Sequence, residues 1–305
     1  MSEFQRCAGI NITSSKLQFV EIEKINNQLQ ICNVGQTFIS PIIDFYNKDE
    51  EFLRQQLQAS FDELKIRNAI NSNIVSFTLP PELFITLQLP YDENLSQAEV
   101  REEFNWEISE LFPYVNIDEL AIKFYELDSS ILPSNRNALV VALNKKYLAL
   151  VKNFCLKNSL TPKLVDNASI TANNFLNNIK RETTIHLFNT NKSVSLFINK
   201  SSKPAYVEVF KKKNANYVDK IISTFLNDKL KTILDESFNS AILSGEDLEG
   251  DLVSEIGRST ELVFEKINPF NIINLKPEFE IQNISVHQIS SFISATAVAS
   301  RFWQV

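Results

Sequence analysis

The chain has 305 residues, 44% apolar and 22% charged, with a formal net charge of -7. That is enough apolar material for two ordinary cores and too little bias for wholesale disorder. The negative balance argues against a broad nucleic-acid footprint, and no window reaches the roughly 20 apolar residues of a membrane span.

Residues 6–13, 16–24 and 28–34 run apolar in short β-type segments. Ser14-Ser15 and Asn26-Asn27 supply the turns, so a three-stranded meander opens the chain. Apolar residues at helical spacing follow from Asp49 to Leu64, then a strand at 73–79 closed by Pro80-Pro81. Leu83–Leu89 reads as a strand. Ser96-Gln-Ala-Glu99 is a capping box, opening a helix with Val100, Phe104, Ile108 and Leu111 on one face and a stop at Pro113. The acidic residues of 92–110 read as its solvated face. Strands are predicted at 117–127, 138–143 and 161–165, a loop at 129–137, and helices at 145–158 and 168–179.

The pattern then restarts. Residues 184–188, 194–199 and 205–210 form a second meander, followed by a long helix near 214–234. A strand at 240–243 leads to Gly245, then come a helix near 252–257, a strand at 261–264, the loop Asn268-Pro269-Phe270 and a helix over 286–302. Thr13-Ser14-Ser15 in the first meander corresponds to Thr190-Asn191-Lys192 in the second. Two meander-led α/β blocks imply a duplicated architecture with a cleft between the halves.

Five pieces in order carry a resemblance: "GINITSSKLQFVEI", "LPPELFITLQLP", "SQAEVREEFNWEISELFPY", "NALVVALNKKYLALVKNFCLKNSLTPKLVDNASITANNF" and "AILSGEDLEGDLVSEI" with its later "NPFNII". Together the chain resembles the actin-like ATPase superfamily, and within it the PilM-type pilus assembly proteins. The cell-division relative FtsA shares the layout. The resemblance implies a mixed α/β, actin-like fold of two ribonuclease-H-like lobes, with a small α+β subdomain inserted in the first. The first lobe would cover 1–182, with the insert at about 80–160, and the second 183–282. The C-terminal helix, 283–305, would return to the first lobe.

In such proteins ATP sits between the lobes, and the resemblance implies where its ligands would stand. Mg²⁺ needs a carboxylate, and backbone N–H groups need glycine to approach phosphate. The first hairpin carries Asn11 for the carboxylate, Thr13 for the glycine and Gln18 for a lysine, keeping Ser14 and Ser15. The second offers Leu187-Phe188-Asn189 where Asp-x-Gly belongs, and the adenosine loop has Gly245 followed by Glu246. These substitutions at Asn11, Thr13, Gln18, Asn189 and Glu246 argue against ATP or Mg²⁺ as a cofactor and against an enzyme. Gly9 reads instead as a sheet position where another backbone packs close.

No other chemistry stands out. His186 and His287, the only histidines, lack motif neighbours and read as structural. Cys7, Cys32 and Cys155 have neither disulfide nor metal-ligand spacing, so no metal is expected. They read as small core residues in a reducing compartment, and the N-terminus lacks the apolar run of a signal peptide. Lys211-Lys212-Lys213 reads as a solvated strand end.

The resemblance therefore implies a non-enzymatic cytoplasmic scaffold that docks the N-terminal peptide of a PilN-like membrane protein. The platform would belong to a type IV pilus or a type II secretion-like system. The protein would meet the inner membrane only indirectly and bind no nucleic acid, with a homo-oligomer left open. The peptide would add to a sheet edge in a groove beside the insert, near Phe84, Ile85, Thr86, Leu87, Phe104 and Ile108. Two alternatives stay open. One is an ATPase in which Glu21 or Asp166 replaces the missing carboxylate, or an actin-like polymer former. The other is a lineage-specific relative with no pilus role.

Overall fold

The structure is a computed structural model, and it describes residues 6–46, 49–128, 136–179, 183–200, 202–212, 240–246, 248, 262–277, 279 and 284–303. The helices predicted near 214–234 and 252–257, Lys213, most of the loop at 129–137 and the His287 side chain lie outside the described residues.

The opening meander is β1 (Arg6–Ile12), β2 (Lys16–Ile25) and β3 (Gln28–Phe38). Asn26 and Asn27 take positive φ at its second turn, a conformation asparagine tolerates. Next is α1 (Glu50–Arg67), capped by Asp49 and burying Leu53, Leu57, Phe61 and Leu64, then β4 (Ile74–Leu79). The chain continues through β5 (Phe84–Tyr91), α2 (Gln97–Leu111), β6 (Leu120–Glu126), β7 (Arg136–Asn144), α3 (Lys145–Lys157), β8 (Thr161–Asn167) and α4 (Ala168–Asn177). The predicted capping box is formed: Ser96 accepts from the Glu99 N–H, and the Glu99 carboxylate accepts from the Ser96 N–H. The second meander is β9 (Thr184–Asn189), β10 (Ser193–Lys200) and β11 (Lys203–Lys211). Then come β12 (Ser240–Gly245), β13 (Phe264–Lys266) and a final helix, α5 (Ile293–Ser300).

Two five-stranded sheets have the same plan, ordered β3-β2-β1-β4-β8 and β11-β10-β9-β12-β13. In each the meander is antiparallel and the last two strands join in parallel. The duplication read from sequence is thus present in the topology. The third sheet, β5-β7-β6, is antiparallel and belongs to the insert.

Two boundaries need correction. The insert was expected to run to about 160, but its sheet ends with β7. Tyr147, Val151, Phe154 and Cys155 of α3 pack in the first lobe's core with Phe61 and Phe77. The last helix was expected to be continuous over 286–302. It begins as a 3-10 segment, Val286–Phe292, and becomes α-helical only at Ile293. The Ser291 hydroxyl donates to the Gln288 carbonyl at 2.7 Å, a local bond that competes with regular helix.

α5 reads Ile-Ser-Ala-Thr-Ala-Val-Ala-Ser, and every residue is buried. Its small side chains let it lie directly on β1. A Cβ on Gly9 would fall 2.0 Å from the Ala295 carbonyl oxygen. Gly9 is therefore the close-packing position that the sequence suggested, and the chain does return to the first lobe. One apolar core spans both lobes, joining Val20 and Ile22 of β2 to α4, α5, Phe188 and Ile242.

Beneath α4 a buried polar network ties the helix to the second sheet. His186 bonds Asn173 Oδ1 at 3.0 Å and Ser244 Oγ at 2.7 Å, and Asn199 bridges Asn173 and Asn177. Burial pushes the His186 pKa down to about 3, so the ring is neutral and structural.

Candidate functional site

The β1–β2 and β9–β10 hairpins meet tip to tip between the lobes, where the Asn191 amide donates to Ser15 Oγ at 3.2 Å. Behind them Asn11, Thr13, Ser14, Glu82, Phe188, Thr190, Asn191, Gly245 and Glu246 line one small cavity. Its volume is about 20 Å³, room for about one water, whereas small-molecule pockets run to roughly 300 Å³ or more.

The hairpins are built alike. Thr13 N–H donates to Lys16 O, and Thr190 N–H to Ser193 O, both at 2.9 Å. Their registers therefore match, with Thr13 equivalent to Thr190 and Asn11 to Phe188. The expected Asp-x-Gly position shifts by one residue, from Leu187-Phe188-Asn189 to Phe188-Asn189-Thr190. Leu187 faces the second lobe's own core with Ile185, Val194 and Leu196. The cavity instead receives the Phe188 ring.

Each threonine does the same thing to its loop. Thr13 Oγ1 accepts from the N–H groups of Ser15 (3.3 Å) and Lys16 (3.0 Å). Thr190 Oγ1 accepts from those of Lys192 (3.2 Å) and Ser193 (2.9 Å). Backbone donors of the kind that cradle phosphate are thus bound to the loop's own hydroxyl. Lys212 was expected to be a solvated strand end. Its Nζ instead donates to Thr190 O at 2.6 Å and braces the second hairpin.

Asn11 is held on both sides of its amide. It accepts from Thr78 Oγ1 at 2.9 Å and donates to Gln18 Oε1 at 3.2 Å. Gln18 in turn donates to Ser291 Oγ at 2.7 Å. It is fully buried in the sheet and is not a cavity-lining residue, contrary to the expectation that it faces the cleft. Asn189 also lies behind the lining, where its amide donates to the Glu246 carbonyl at 2.6 Å. Gly245 has φ +104°, and a Cβ there would meet Asn189 O at 2.1 Å, so backbone geometry alone requires the glycine.

Glu82 and Glu246 line the cavity. Glu246 is buried. Burial raises the Glu82 pKa, opposed by nearby Lys192 and a Ser193 hydrogen bond. The carboxylates considered as substitutes lie elsewhere. Glu21 accepts from the N–H groups of Asn71 and Ser72, and burial raises its pKa. Asp166 pairs with Arg301 and accepts from the Tyr125 hydroxyl. Among the described residues no cluster of three or more His, Cys, Asp or Glu side chains could hold a metal ion.

The groove residues are largely core. Phe104 and Ile108 are fully buried with Val100 between α2 and the insert's sheet, so they cannot line an open groove. Their four-residue spacing from Val100 is the helix's packing stripe. Ile85 and Leu87 pack into the same core, and Phe84 into the first lobe's core and the junction with the second lobe. Thr86 is half-buried. Beside it Gln88 exchanges hydrogen bonds with the Val207 backbone of β11, at 2.7 and 3.3 Å, so β5 is joined there to the second lobe. Sequence reasoning missed Glu82 and Ser291, whose place at the cavity depends on how distant segments converge.

Comparisons with known proteins bear on this arrangement. By sequence, the chain has no significant match among curated proteins. Its fold is similar to a PilM–PilN type IV pilus biogenesis complex, with TM-score 0.72 and 18% identity, covering 97% of this chain and 98% of that one. It is also similar to a Bacteroides thetaiotaomicron protein of actin-like ATPase fold and unknown function, with TM-score 0.54, 12% identity, and 88% and 95% covered. A third likeness is the ethanolamine utilization protein EutJ from Carboxydothermus hydrogenoformans, with TM-score 0.54, 7% identity, and 97% and 89% covered. The fold is actin-like. The family model for the type IV pilus assembly protein PilM matches residues 9–218, more than half of the chain, and the chain belongs to that family.

Proposed function

We propose that this family member is a non-enzymatic cytoplasmic scaffold that docks the N-terminal peptide of a PilN-like membrane protein and holds no nucleotide. The observation that carries the second half is the closure of both hairpins. Thr13 and Thr190 occupy loop N–H groups, while Asn11 and Phe188 stand in the paired carboxylate positions. A phosphate would have to displace two hydroxyls and approach two cavity-facing carboxylates, Glu82 and Glu246, with Phe188 in place of an anchor for its metal. Membership in the PilM family and the likeness to a PilM–PilN complex support the partner class.

The test has two arms. Thermal unfolding of the chain with millimolar Mg-ATP should leave the midpoint unchanged, since only a ligand of the native state raises it. A rise of several degrees would overturn the nucleotide-free reading. Calorimetric titration with the cytoplasmic N-terminal peptide of a PilN-like membrane protein from the same genome should show saturable binding. Absence of binding would remove the scaffold assignment. The ATPase alternative gains nothing from Glu21 or Asp166, whose partners are described above.

A further inference from the structure

The insert's sheet has two covered faces. One lies under α2, through Leu89, Val100, Phe104, Ile108, Val140 and Ala142. The other meets Ile170, Phe197 and Val207 at the junction of the lobes. The side of α2 opposite Phe104 therefore points away from the body of the protein. Trp106 stands on that side, 60% exposed. Its helix-surface neighbours three and four residues away include Glu102, Glu103 and Glu110. Among the described residues none of these carboxylates has a basic partner. One Glu103 oxygen is buried without a hydrogen-bond partner there.

A solvated acidic face needs no indole at its centre, and Trp106 contributes nothing to the core stripe. An indole ringed by unpaired carboxylates is what a guanidinium or ammonium group binds, stacking on the ring while the carboxylates neutralise it. We propose that the outer face of α2 is a docking site for a short arginine- and lysine-bearing polypeptide segment of a partner. Charge complementarity selects that occupant, since an anionic membrane surface or nucleic acid would be repelled by the same carboxylates.

The test titrates the whole chain, at low salt, with a short peptide alternating glycine with arginine and lysine, and follows tryptophan emission and heat of binding. Saturable 1:1 binding that changes Trp106 emission is expected. Trp106→Ala should weaken it roughly tenfold, and Trp106→Phe by less. The triple variant Glu102→Gln, Glu103→Gln, Glu110→Gln should weaken it at least as much as Trp106→Ala. A charge-matched control on α1, Glu50→Gln, Glu51→Gln, Asp62→Asn, should leave affinity unchanged. Equal losses in the two triple variants would mean diffuse attraction and overturn the proposal. So would an affinity indifferent to Trp106, or a face that pairs with a second copy of the chain, seen as a dimer in sedimentation that Trp106→Ala dissolves. Glu102, Trp106 and Glu110 are exposed, and glutamine keeps the shape of the half-buried Glu103, so circular dichroism should match wild type throughout.

Discussion

Replacing Gly9 with alanine separates two explanations of this glycine, because one predicts a stability loss without ligand and the other does not. If Gly9 serves phosphate approach, Gly9→Ala is harmless in the absence of nucleotide. If it seats α5, the new methyl collides with the helix backbone. The Cβ would lie 2.0 Å from Ala295 O, 2.8 Å from Ala299 N and 2.9 Å from Ala299 Cβ, where ordinary contact begins at 3.4 Å. The worst contact is short by about 1.4 Å; the two nearest atoms are backbone and the third is an alanine Cβ, so no side-chain rotation relieves it. α5 would have to lift from β1, disturbing the fully buried Phe292, Ile293, Ala297 and Val298. Overpacking costs about 1–3 kcal/mol, and a backbone collision belongs at the upper end. Alanine's smaller unfolded-state entropy offsets under about 1 kcal/mol. The net loss is about 2–3 kcal/mol, or roughly 4–10 °C in the melting midpoint for a chain of this class. Thermal melts of nucleotide-free protein followed by far-ultraviolet circular dichroism measure it. A midpoint within 1 °C of wild type would refute the packing of α5 on Gly9.

Two further outcomes follow from buried charge. His186 has its pKa pushed from the ordinary 6.5 to about 3 by burial, so the fold favours the neutral ring. Its stabilising share is complete above pH 6.5 and is lost, at about 1.4 kcal/mol per pH unit, as pH falls from 6.5 towards 3. Urea midpoints between pH 7 and 5, before most carboxylates titrate, should decline in wild type and stay flatter in His186→Gln. Arg301→Ala leaves the buried Asp166 without its cation and should cost about 3 kcal/mol in urea unfolding. The double variant Asp166→Asn, Arg301→Gln should recover part of that loss.

What could be read in the sequence was what local chemistry decides. The Ser96–Glu99 box, the Asn26-Asn27 turn and all but the last residue of the Val100–Phe104–Ile108–Leu111 stripe depend on residues a few positions apart and are found where expected, whereas Leu111 at the helix end is exposed. The one-residue slip at the second hairpin has a physical cause. β9 is buried along its whole length, so Thr184–Asn189 shows no inward–outward alternation to fix its register. The α3 boundary failed for a related reason: an apolar helix face shows that it packs, but not against which core. Gln18 was misplaced because its burial depends on Ser291, far along the chain.

The same threonine in both hairpins bears on why the lobes stay joined. Each loop satisfies donors from within, and Phe188 contributes apolar surface continuous with the core that spans both lobes. Buried apolar contact of that kind needs no counter-ion, whereas aspartates at positions 11 and 188 would add like charges to a cavity already lined by Glu82 and Glu246. Asn11→Asp alone would bury a charge beside Thr78 and Gln18, and should destabilise the closed cleft.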